Sequence, residues 1–326
     1  MTTTFRELSV EHPQTATEVL SLLQDGMAAD TPLWPEPTES FLKWLINPRA
    51  ARHRALVVAY DGGRPLGYGC LNHDNFSNRD MIYGDIWIRP GDRAEVTVPL
   101  LDAFKAYTRG RDATRLVLST SEYSPDYDAV FAAEGGRLVS AERRSQLDLT
   151  AIDREQYAAW AAPSEKNAHY RIEIWKTPTP DRLLPALVAA NEAMRDAPHG
   201  ALEFEFAPLS VDQRVQSEAD NLAVDAQMHI VAALTEDGEI AGFHEMLVFP
   251  GYRMADIGYT AVPAKFRGHG LGLRLKSILA LRLLEQEPQV EVVSTWNDSD
   301  NLPMLRVNEA LGYETAEAWT NWQFDL

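Results

Sequence analysis

The segment Arg267-Gly268-His269-Gly270-Leu271-Gly272 follows the β-branched and aromatic run Tyr259 to Val262 and opens an apolar helical pattern. Glycines on alternate positions let the backbone turn tightly and keep Cβ atoms clear of whatever approaches. A helix starting there aims its unpaired N–H groups and the positive end of its dipole at the same space. The combination is an anion site, most often for a phosphate, and Arg267 adds a fixed charge at its entrance. Spacing excludes two common nucleotide loops. Leu273 stands where a dinucleotide fingerprint needs glycine, and the turn runs into Gly-Leu-Arg where a P-loop needs Gly-Lys-Ser/Thr.

Acidic residues lie just upstream. Asp256 is on the strand leading to Val262, and a carboxylate in a cleft there has its pKa raised toward working pH and suits a general base. Glu245, set among Met246, Leu247, Val248 and Phe249 on the preceding strand, is the second candidate. His244 alternates with it, so only one of the two faces the cleft. Glu203 and Glu205 form a carboxylate patch suited to a cationic amine. There is no Gly-x-Ser-x-Gly elbow, the eight histidines are scattered, and no metal site is expected.

A second stretch runs from Thr295 to Tyr313, after the strand Val290 to Ser294. Asp300 and Asn301 suit a helix cap, Pro303 is tolerated in a first turn, and Gly312 suits the end. An Asn opening a helix that a Leu-Gly-aromatic closes, downstream of Arg-Gly-x-Gly-x-Gly after a strand, resembles the GCN5-related N-acetyltransferases, which bind acetyl-CoA. The resemblance covers the last third of the chain. It implies direct attack of a primary amine on the thioester, with acetyl-CoA as cosubstrate, no acyl-enzyme and no metal. It implies that the backbone of Thr260, Ala261 and Val262 pairs with the pantetheine and that the Val262 N–H donates to the oxyanion. It gives the pyrophosphate to Arg267, Gly268, His269, Gly270, Leu271 and Gly272, and implicates Asn301 and Asn297. Asp256 falls where the family's histone acetyltransferases place a glutamate. His269, at a middle position, is expected to face solvent. The chain departs from the pattern at Asn308, where the family often has a tyrosine as acid for the leaving thiolate. An amide donates a hydrogen bond but is no proton donor of suitable pKa. Asn308 is therefore expected to hold the sulfur by hydrogen bonding, with the proton coming from solvent.

These residues need a sheet and helices to position them, and the chain supplies that set twice. Asp61-Gly62-Gly63 and Glu236-Asp237-Gly238 read as matching hairpin turns. Aligned on them, Ile88 falls on Val262 and Arg93 on Arg267, and Ala94, Val96 and Val98 replace the three glycines. Their side chains fill the space a pyrophosphate needs. The expected fold is α/β: two tandem domains, each a twisted mixed, largely antiparallel sheet flanked by helices. Residues 1–150 form a degenerate copy without a coenzyme loop, 151–169 a linker, and 170–326 the acetyl-CoA-binding domain. Gly200 to Ala226 reads as a partly helical insertion, and Ala318 to Leu326 as the last strand of the second domain.

At 326 residues the chain suits two domains. A net charge of −18 argues against nucleic-acid or anionic-membrane partners, and fits a small-molecule amine or basic peptide acceptor. The single cysteine, Cys70, rules out an intrachain disulfide. With no apolar signal core or bilayer-length run, a cytoplasmic monomer or homodimer is expected. Two alternatives stand beside N-acetyl transfer to an amine. One is acetylation of a thiol-sugar amine in the manner of mycothiol synthase, whose second motif carries tyrosine where Asn308 stands. The other is a non-catalytic acetyl-CoA-binding regulatory protein.

Overall fold

The structure, a computed structural model, describes residues 3–8, 13–47, 49–198, 200–207 and 209–326. The first part of the chain forms β1 (Thr3–Leu8), α1 (Pro13–Asp30), α2 (Glu39–Ile46), β2 (Arg52–Asp61), β3 (Arg64–Asp74) and β4 (Met81–Ile88). Then come α3 (Arg93–Arg109), β5 (Arg115–Ser121), α4 (Pro125–Ala133), β6 (Arg137–Asp148), α5 (Arg154–Ala161) and β7 (Arg171–Lys176). The rest is α6 (Leu184–Asn191), α7 (Val211–Leu222), β8 (Gln227–Leu234), β9 (Ile240–Val248), β10 (Met254–Ala261), α8 (Leu271–Gln286), β11 (Val292–Asp298), α9 (Leu302–Ala310) and β12 (Glu314–Asp325).

The chain divides into two compact units: Met1–Arg143 with His199–Glu205 and Glu317–Leu326, and Arg144–Pro198 with Phe206–Ala316. Each is a mixed sheet with helices against it, as the sequence predicts. The strands of the first unit run in the order β1-β2-β3-β4-β5-β12. Its β4 and β5 are parallel, and its other registered pairs are antiparallel. In the second, β7, β8, β9 and β10 pair antiparallel in sequence, and β10 meets β11 in parallel. On one face of this second sheet α8 lays Leu271, Leu275, Leu279 and Leu283, spaced i, i+4 along the helix, against Val231, Met246, Val248, Ala255 and Val293. On the other, Leu183, Leu187 and Ala190 pack on Ala232, Phe243 and Ala261.

The division departs from the expected one in three places. The segment expected to be a linker holds α5, whose Asp153 cap accepts from the Glu155 and Gln156 N–H groups. Tyr157 enters the second unit's core, and its hydroxyl donates to the Leu311 carbonyl at 2.5 Å. A run of alanines and polar residues reads as linker, yet one aromatic face suffices to dock it. The last strand belongs to the first unit, where Trp319 to Asp325 pair with Ser121 to Arg115 and Phe324 meets Phe131 edge-on at 5.5 Å. The expected insertion is split between the units. The Ala201 N–H donates to the Val139 carbonyl at 2.8 Å in the first, while α7 is in the second. Within that stretch Pro208 lies outside the described residues.

The two units treat the glycine turn differently. Each has a short 3-10 turn after the strand, at Pro90–Asp92 and Ala264–Phe266, followed by an arginine. In the first unit α3 begins at Arg93 itself and buries Val96 completely. In the second the chain stays open until Leu271, with Gly268 at φ +82° and Gly270 at φ +74°, values that disfavour any side chain. Both arginines reach an aspartate ending a preceding helical segment: Arg93 binds Asp30, and Arg267 binds Asp196 at 2.5 Å. Among the described residues no helix is long and apolar enough to cross a membrane, and no group of His, Cys, Asp and Glu could hold a metal ion.

Phe324 is 2% exposed in the first unit's core. Phe324→Ala is expected to destabilise that unit by about 3–5 kcal/mol, read as lost hydrogen-exchange protection in β5 and α4.

Candidate active site

The site grows from a parting of two strands in the second unit. β10 and β11 pair only from Met254 to Asp256 with Val292 to Ser294, although β10 continues to Ala261 and β11 to Asp298. The other edge of β10 carries a bulge between Ile257 and Thr260, where β9 advances only from Met246 to His244. One extra residue there bends β10 away from its former register. The result is a fork with Asp256 and Ser294 at its base.

Asp256 is half-buried, but its Oδ1 is covered and accepts no hydrogen bond. Burial raises its pKa to about 6, against the opposing pull of Arg144 and a hydrogen bond from Ser294. Arg144 is fully buried and reaches Ser294 Oγ at 3.5 Å. Asp256 is thus a carboxyl that changes charge near pH 6, with one oxygen free.

Glu245 lies on the same sheet face, since Asp256 stands opposite Leu247 in the register. It is 1% exposed and bound by Arg214 of α7 at 2.9 Å. Arg214 also holds Glu218 at 2.7 Å, and Glu218 accepts from the Thr179 N–H at 2.7 Å and its hydroxyl at 2.6 Å. The two carboxylates push the Arg214 pKa up despite its burial. Glu245 is therefore fixed by a cation, and its Oε1 would stand 3.0 Å from a Cβ placed on Gly258 of the bulge. Glu203 and Glu205 lie in the first unit; their backbone groups, not their carboxylates, pair with Arg115 and Asn78.

The opposite face carries a different set. His244 is fully buried, with Nδ1 2.8 Å from Thr260 Oγ1 and Nε2 without a partner. Burial, aided by Lys276, holds its pKa well below the usual value, so the ring is neutral. Asn308 is 1% exposed; its amide donates to Asn297 Oδ1 at 2.8 Å and its oxygen accepts from Lys276 Nζ at 2.8 Å. Asn301 caps α9, accepting from the Met304 N–H at 3.4 Å.

At the glycine turn, Arg274 N donates to the Gly270 carbonyl, which leaves the preceding N–H groups of α8 without intrahelical acceptors. A Cβ on Gly268 or Gly272 would meet nothing within 4 Å, so the space beside this turn is open. Arg267 Nε donates to the Val262 carbonyl at 3.0 Å, and Ala261 is buried opposite Phe243. His269 does not simply face solvent, as its position suggests. It is half-buried beside Tyr170, whose hydroxyl is 2.7 Å from Nδ1, and Asn167 donates to its carbonyl at 3.1 Å. The turn is braced from behind and open in front, which suits a phosphate-bearing ligand.

The structure thus brings Asp256, Glu245, Asn297, Asn308 and Thr260 to the fork, and Arg267 to Gly272 to the head of α8; Asn301 is used as a cap. Sequence reasoning missed Arg144, Ser294, Arg214 and Lys276. The i, i+4 pair Arg214 and Glu218 was a readable signal. Lys276 stands i, i+4 from buried Ala280, but a lysine beside leucines reads as a surface residue.

The acetyltransferase (GNAT) family model matches residues 191–313. No curated protein sequence matches the chain. Among solved structures, a tandem GNAT protein from the clavulanic acid biosynthesis pathway superposes with a TM-score of 0.82 at 24% identity, covering 99% of this chain and 98% of its own. A GCN5-related N-acetyltransferase from Sphaerobacter thermophilus gives 0.68 at 16% identity, with 99% and 95% covered. Saccharomyces cerevisiae N-myristoyltransferase with bound myristoyl-CoA gives 0.62 at 12% identity, with 99% and 78% covered. These likenesses carry the fold, and the family match falls on the unit that holds the fork and the glycine turn. Residues 191–313 thus match the acetyltransferase (GNAT) family, and the whole chain shares the fold of a tandem GNAT protein.

Proposed function

We propose that the second unit transfers an acetyl group from acetyl-CoA to a primary amine, with Asp256 as general base. The observation that carries this reading is the free, covered Oδ1 of Asp256 at the base of the fork, on a carboxyl with its pKa raised to about 6. Such a group accepts a proton from an ammonium at neutral pH while remaining largely ionised. Acetyl-CoA supplies the thioester: amine nitrogen bonds to the carbonyl carbon, the C–S pair leaves with sulfur, and an N-acetyl product and free thiol result.

The chain's own residues do the remaining work. Gly268, Gly270 and Gly272 leave room for the pyrophosphate, with the N–H groups opening α8 and Arg267 as donors. The part of β10 that leaves β11, Thr260 to Val262, offers strand-like backbone to the pantetheine. One proton of the ammonium goes to Asp256 and the other to solvent, and solvent returns one to the sulfur. Glu245, held by Arg214, lines the fork beside the bulge. The net charge of −18 attracts a cationic acceptor, a small amine or basic peptide. The first unit, with α3 wound through the place of the turn, takes no part in coenzyme binding.

At about a hundredfold excess over Kd, acetyl-CoA is expected to stabilise the wild type by about 2.7 kcal/mol, seen as a rise in melting temperature. Gly270→Val, strained at φ +74°, is expected to show no ligand-induced rise. Binding without thiol release across an amine screen would instead mark a regulatory protein. Asp256→Asn is expected to lower kcat/KM by about 10²–10⁴-fold. Because the base works deprotonated, wild-type kcat/KM should rise with pH through about 6, and this acid limb should vanish in the variant.

A further inference from the structure

Lys276 is 2% exposed on α8, yet no carboxylate pairs with it among the described residues. Its Nζ donates to Asn308 Oδ1 at 2.8 Å and lies 5.2 Å from the centre of the Tyr313 ring. A buried cation with one neutral hydrogen-bond partner is costly. Packing alone would be served as well by leucine or methionine.

The ammonium also settles the orientation of Asn308. Lysine has only donors, so the amide oxygen must face it and the amide NH₂ must face Asn297. Asn297 stands on β11 beyond its last ladder pair with β10. A hydrogen-bonded string therefore runs from Lys276 through Asn308 to the open end of the fork, with the positive charge at its closed end. Asn308 Nδ2 has a second hydrogen that the contact to Asn297 does not use, and polarisation by the ammonium strengthens it as a donor.

We propose that Lys276 is a positioning residue for acyl transfer: acting through Asn308, its charge stabilises the thiolate that leaves when the C–S bond breaks. This rests on the reading that the fork receives the thioester. Lys276 gives up no proton; the string orients the Asn308 amide and supplies field, so the sulfur departs as an anion and is protonated by solvent. The titratable groups facing Lys276 are His244 of β9 and Tyr313 after α9. His244 is neutral and burial keeps the Tyr313 phenol protonated, so neither supplies a charge. Burial lowers Lys276 itself to about 7, so the stabilisation is present below that pH and fades above it.

The test is the titration of CoA thiol bound to the full chain, followed by ultraviolet thiolate absorbance, for wild type, Lys276→Met, Lys276→Arg and Asn308→Leu. Below about pH 7, where Lys276 carries its charge, the bound thiol of the wild type should show a thiolate fraction about tenfold above that of free CoA, a shift of about one pH unit. Lys276→Met and Asn308→Leu should abolish that shift and lower kcat by roughly tenfold or more, with KM for acetyl-CoA changed far less. Lys276→Arg, keeping the charge, should retain part of both. A bound thiol that titrates on the wild type as it does in water overturns the inference, even if neither neutral variant folds, and leaves the coenzyme reading standing. A shift that survives in folded Lys276→Met overturns it equally. Failure of wild type to bind CoA overturns the reading of the fork, and this inference with it.

Discussion

Beyond Asp256 and Ser294, β10 and β11 leave their facing backbone groups without each other. A sheet seldom leaves such groups idle, and everything at this site follows from the gap. The bulge on the far edge of β10 aims the strand away, and a Gly at 258 lets Glu245 lie across the bulge. Burial of the carboxyl at the base of the gap disfavours its charge more than Arg144 and Ser294 favour it. The amides on the other face converge on the same gap because β11, freed from β10, carries Asn297 toward α9. One broken ladder thus gives a strand-like slot, an acid of unusual basicity and a set of fixed donors.

The first unit lays the corresponding stretch of chain differently. Both units keep the 3-10 turn, the arginine after it and an aspartate to hold that arginine. The second leaves the pair at the surface and keeps an open turn that costs conformational entropy. The first winds the same stretch into helix, buries Val96, and sets its arginine over the Tyr127 ring and against Asp30, which Ser124 also binds. Regular hydrogen bonds and apolar burial replace an exposed cradle of N–H groups.

Much of this was legible in the residues. The glycine turn, the tandem repeat and Asp256 announce themselves because turn chemistry, periodicity and a carboxylate in a β-branched setting are local signals. What stayed hidden was non-local. Alternating hydrophobicity marks Ala318 to Asp325 as a strand but cannot name β5 as its partner. Tyr157 and Trp160 look like linker residues until α8 is seen to need cover. Arg144 and Lys276 are hidden for another reason: charged residues are normally read as surface, and only three-dimensional packing shows them enclosed.

The chain's last strand has a consequence for how the protein is made. Residues up to Ala316 complete the second unit, while the first still lacks the strand that lies on β5. Until that strand emerges from the ribosome, the edge of β5 is bare and Phe131 lacks Trp322 and Phe324. That is an invitation to chaperones and to wrong strand partners.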